Sequence, residues 1–176
     1  MKIHRMLAPL FAFTAASLAL SMQAAEERKA KVPEWAELFG GASLPVVWQS
    51  ASTASEKIDA ALAGKQLDGV AAWAETIHLA SHALEDQVKV DDTERARRLK
   101  AAFEQAAKIA DDVINAAKHN EADKAADAQR RLKSALALAK SRMPKEILAA
   151  PKQEVRFAKP AGHAPDEKGD HVQKKK

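Results

Sequence analysis

Residues 75–86 read Glu-Thr-Ile-His-Leu-Ala-Ser-His-Ala-Leu-Glu-Asp and place His78 and His82 one helical turn apart among acidic residues. Side chains four positions apart lie above one another on a helix, so the two imidazoles can share a copper, zinc or nickel ion. At about 100° per residue, with Ile77 as origin, Trp73, Ile77, Ser81 and Leu84 form an apolar stripe, and the histidines fall near 100° and 140°. Glu75 and Asp86 lie farther round on the same side. The spacing predicts a metal site on the helix shoulder, with His78 and His82 as nitrogen ligands and Glu75 or Asp86 as oxygen ligands. A closed structural zinc site takes four ligands, so a tight site needs help from another segment.

Two more histidines form a weaker candidate. His163 and His171 enclose Asp166, Glu167 and Asp170 in the C-terminal stretch and could hold a divalent ion loosely. His119 precedes the turn residue Asn120, where a cation is favourable against the helix dipole, a structural role. The unit Glu75-Thr-Ile-His78 matches the Glu-x-x-His element of di-iron bundles, but that site requires a second such unit and further inward glutamates. The sequence has no second copy. There is also no glycine-rich phosphate loop, no nucleophile elbow and no cysteine. The chain is read as a binding or structural protein and not as an enzyme.

The elements that would position these residues are helical. Thr53-Ala-Ser-Glu56 has the form of a capping box and predicts a helix start, with Gly64 as a left-handed C-terminal cap. Asp68 is expected to cap a second helix with the stripe Val70, Trp73, Ile77, Ser81, Leu84 and Val88. Val90-Asp-Asp-Thr93 ends that helix and caps a third, whose seam is Leu99, Phe103, Ala106, Ala110, Val113 and Ala117. Asn120 turns the chain into a fourth helix carrying Ala122, Ala125, Gln129, Leu132, Leu136, Ala139 and Met143, which Pro144 stops. The segments beginning at Ile58 and Ile114 share a weak internal repeat, each running from an Ala-rich helix end through a turn into an amphipathic helix. Two such hairpins predict an all-α fold, an antiparallel up-down-up-down bundle.

The rest of the chain divides around that bundle. Residues 1–25 combine a basic start, Met-Lys-Ile-His-Arg, with an apolar run and small residues at Ala24 and Ala25, the form of a signal peptide. The run is too short for a span of about 20 residues, so no membrane span is expected and the mature chain is placed in the periplasm or outside the cell. Residues 26–52 contain Trp35, Phe39 and Trp48, which either complete the bundle core or contact a partner in the cell envelope. Residues 53–143 form the bundle domain, and residues 144–176, rich in Lys and Pro, are expected to be a disordered tail. Residues 26–143 hold 18 basic and 19 acidic residues, so the excess of basic charge sits at the ends. That near-neutral body argues against a nucleic-acid partner.

The exported, Ala-rich pair of helical hairpins resembles the soluble periplasmic b-type cytochrome bundles over roughly residues 53–143. That resemblance implies a four-helix fold and a haem held by a methionine in the first helix and a histidine near the end of the last. Here the first helix has no methionine, and Met143 stands about where the histidine would be. Haem-type ligand binding is therefore a third functional expectation, after a transition-metal site and an envelope interaction protein. Residues 77–85, Ile-His-Leu-Ala-Ser-His-Ala-Leu-Glu, also resemble the Ile-His-x-x-Ser/Thr-x-x-Leu-Glu element of small uncharacterised periplasmic helical proteins, which implies a packing role for Ile77, Ser81 and Leu84.

Overall fold

The computed structural model describes residues 32–151 and 153–159, so the expected signal peptide, His163 and His171 lie outside the described residues. The compact unit begins at Glu34. It contains a short helix α1, Trp35–Phe39, and four long ones: α2, Leu44–Ala63; α3, Val70–Gln87; α4, Thr93–Lys118; and α5, Ala122–Arg142. There is no strand among the described residues. Each long helix packs on the next in sequence, α2 meets α5 along a shorter stretch, and α1 lies against α3.

The seams of α4 and α5 fall where the periodicity puts them. Leu99, Phe103, Ala106, Ala110, Val113 and Ala117 are all buried on α4, as are Ala125, Gln129, Leu132, Leu136 and Ala139 on α5. Asp92 caps α4 by accepting a hydrogen bond from the Arg95 amide at 2.9 Å. The Arg95 guanidinium then donates to the carbonyls of Arg142 and Met143, at 2.7 and 3.1 Å, and so satisfies the open C-terminal end of α5. Met143, where the cytochrome resemblance expects a histidine, is buried at that end.

The start of α2 differs from expectation. The helix begins at Leu44, with Pro45 in its first turn, and Thr53 and Glu56 lie in its interior. Thr53 Oγ1 therefore caps nothing and accepts from Gln49 Nε2 at 3.2 Å. The proline is pre-set for a first helical turn, where its missing N–H has no partner to lose. Phe39, Val46, Val47 and Trp48 are buried, so residues 34–52 are part of the folded unit.

Two turn residues also differ. Gly64 has φ −88°, and the left-handed position after α2 belongs to Lys65 at φ 53°. The amides of Lys65 and Gln66 donate back to Leu62 and Ala61, and those of Asn120 and Glu121 donate in the same pattern to Ala117 and Ala116. Both helices thus end in a Schellman turn. Asp68 makes no cap. Gly69 precedes α3 at φ 79°, where an added Cβ would come within 3.1 Å of the Trp73 ring, so glycine serves both the backbone and the packing.

Residues 144–151 and 153–159, expected in the disordered tail, include side chains that pack on the helices. Ile147 is buried, and Leu148 and Phe157 lie against the core.

Stability measurements separate these readings. Asp92→Ala should lower the unfolding free energy by about 1 kcal/mol in urea titrations, while Thr53→Ala, which breaks no cap, should cost clearly less. Lys65→Gly should raise it by about 1 kcal/mol, because glycine occupies the left-handed region without the Cβ clash.

Candidate functional site

On α3 three residues that could do chemistry each follow a seam residue by one position. His78 follows Ile77, His82 follows Ser81 and Glu85 follows Leu84, and the three seam residues are buried. On α4, Lys100 and Asp111 follow Leu99 and Ala110 in the same way. Residues about 100° off the seam of one helix meet their counterparts on the next, so the shoulders of α3 and α4 share one charged strip.

Within the strip His78 Nδ1 lies 2.9 Å from Asp111 Oδ1. That nitrogen is buried and makes no hydrogen bond, so the two groups are close neighbours without a formed bond between them. His82 Nδ1 stands 3.5 Å from Glu85 Oε2, and the other oxygen of Glu85 receives Lys100 Nζ at 3.0 Å. The two imidazoles touch edge to face, with ring centres 4.8 Å apart. His78 keeps 22 % of its side-chain surface exposed and His82 44 %, which puts the pair at the water boundary.

The acidic ligands expected from sequence are placed differently. Asp86 Oδ2 accepts the Trp35 indole N–H at 2.8 Å, so this carboxylate holds α1 on α3. Glu75 is half-buried on the same helix and joins no ion pair among the described residues. No group of three or more His, Asp or Glu side chains is placed to hold a metal among the described residues. Asp111 was not anticipated. Its signal lay in the seam: a carboxylate one position past Ala110 is the mirror of a histidine one position past Ile77.

The aromatic residues divide. Phe39 is fully buried and Trp48 is 7 % exposed, so both complete the core and neither offers a face to a partner. Trp35 is half-buried and engaged with Asp86. His119 Nδ1 lies 2.7 Å from the Asn115 carbonyl at the end of α4, in keeping with a structural role.

A groove of about 370 Å³ where α4 turns into α5 is lined by Asp112, His119, Glu121, Lys124, Asp127 and Arg131. Its charges are already paired, Arg131 with Asp112, Lys124 with Glu121 and Asp127 with Arg130. It therefore offers a ligand little unspent charge. No helix among the described residues is long and apolar enough to cross a membrane. No family model, no curated protein and no solved structure matches the chain.

The Glu85 carboxylate raises the Lys100 pKa above the ordinary lysine value, first through their hydrogen bond and then through its charge. Because the folded value exceeds the unfolded one, the stabilisation is fully present below the unfolded value and is lost as pH rises through the folded one. Thermal melts of the parent and Lys100→Gln should therefore differ at neutral pH and converge above the folded-state value.

Proposed function

We propose that this chain is an exported, non-catalytic helical bundle that binds a borderline transition-metal ion, Cu²⁺, Ni²⁺ or Zn²⁺, through His78 and His82. The observation that supports the reading is that each imidazole has Nδ1 beside a carboxylate, 2.9 Å from Asp111 for His78 and 3.5 Å from Glu85 for His82, placed so that a small ring rotation on metal binding would turn each contact into a hydrogen bond. Metal-binding histidines commonly have one ring nitrogen oriented by such a carboxylate, which leaves the other nitrogen for the ion. Nε2 of both rings is the ligand atom in this reading, and water completes the coordination. Two imidazoles in that role suit copper and nickel as well as zinc.

The bundle itself is read as antiparallel, up-down-up-down. Short connections support this, as do the pairs His78–Asp111 with Glu85–Lys100 across α3 and α4, and Arg95–Met143 with Asp112–Arg131 across α4 and α5. In each set the residue numbers run in opposite directions. Export rests on the basic start and apolar run of residues 1–25.

Isothermal titration of the full chain with each metal tests the proposal. The parent should bind with Kd of about 1 μM or tighter, near 8 kcal/mol. His78→Ala with His82→Ala should abolish the heat, and Asp111→Asn should weaken affinity by about tenfold to a hundredfold. Retained binding in the double variant, lost only on His163→Ala with His171→Ala, would move the site to the C-terminal histidines. No binding by the parent would remove the metal reading.

A further inference from the structure

Two buried hydroxyls on neighbouring helices face a segment that has no regular structure of its own. Ser50 on α2 and Thr76 on α3 are both fully buried, and each donates its proton to the carbonyl one turn earlier, Val46 at 2.8 Å and Ala72 at 2.9 Å. With the protons spent inside the helices, each oxygen is left as an acceptor of fixed direction. Ser50 Oγ receives the backbone N–H of Arg156 and Thr76 Oγ1 that of Ala158, both at 2.9 Å. Amides two residues apart that face one groove have the period of an extended chain.

The side chains of this strap are also bound. The Arg156 guanidinium donates to the carbonyls of Leu38 and Gly40, at 3.0 and 3.2 Å, at the end of α1. Phe157 lies against the core with Lys57 Nζ 5.5 Å from its ring centre, and the same ammonium is 5.7 Å from Trp73. The α2–α3 groove thus recognises an extended Arg-aromatic-small segment through two main-chain amides, a guanidinium and a ring.

We infer that this groove is a peptide-docking site whose strap, residues 154–158, exchanges with the same segment of a second copy of the chain. The complementarity on which exchange depends is present within one copy, and a second copy brings the identical segment. The connection permits it. Ile147 is fixed in the core, Ala149 and Ala150 are exposed, and Pro151 interrupts the run. About nine residue steps separate Ile147 from Arg156, enough to reach about 30 Å when extended. Exchange of an identical element through such a hinge is a low-cost route to a dimer.

The cysteine-free chain makes exchange directly readable. Full-length Lys57→Cys and Phe157→Cys variants, one isotope-labelled, are concentrated together, gently warmed, cooled and treated with a short bis-maleimide, and a chain carrying both substitutions is treated when dilute. Mass spectrometry should show an intrachain link in the doubly substituted chain, and in the mixture a link joining the introduced thiol of one variant to that of the other. Adding Ser50→Ala and Thr76→Val to both partners should cause loss of the interchain product, with circular dichroism confirming that the helices persist. An intrachain link with no interchain product would overturn the proposal, since the strap would be fixed to its own groove. An interchain product that survives removal of both hydroxyls would overturn it as well, because it would record random collision.

Discussion

Helices that meet through alanine approach closely, yet each methyl removes little apolar surface from water, and that constraint governs the architecture. Nearly half of the buried apolar side chains are alanines, concentrated where α3, α4 and α5 face one another. A buried Leu, Ile or Phe contributes roughly 1.5–3 kcal/mol, several times what one methyl supplies. The missing mass comes from outside the regular seams. Phe39 from α1, Trp48 from the first half of α2 and Ile147 after α5 join the core, and Phe157 from the strap packs against it. What look like flanking segments in the sequence are components of the hydrophobic interior.

That division of labour explains what was legible in the sequence. Both α4 and α5 alternate buried and charged faces, so their seams, the Asp92 cap and the Asn120 turn can be read directly. The first half of α2 cannot be read in this way because Val46, Val47, Trp48, Ser50, Ala51, Ala54 and Ser55 are buried. A helix covered on most sides has no polar face to mark its period. The capping-box pattern at Thr53 then supplied a false start in the middle of the element, while Leu44-Pro45 carried the true signal.

At the α3 shoulder the histidine pair was visible because its spacing is local. Its carboxylate partner Asp111 and the Trp35 donor that occupies Asp86 were not, since both contacts join positions distant in sequence. The strip also shows how one geometry serves two ends. Glu85 is simultaneously the neighbour of His82 and the anchor of Lys100, so changes in local charge are shared between α3 and α4.

The closure between α2 and α5 has a different character from the other seams. Gln129 Nε2 reaches the Ser55 carbonyl, Ser55 Oγ and Asp59 Oδ1, each at 3.0 Å, and Lys133 reaches Asp59 Oδ2 at 2.6 Å. Apolar surfaces tolerate sliding, whereas directed bonds do not. A shift of one helical turn between these two helices would strand a buried amide whose oxygen is already without a partner. The first and last long helices therefore meet in a single alignment, and the chain distinguishes its native arrangement from a slipped one at the seam that joins the long helices farthest apart in sequence.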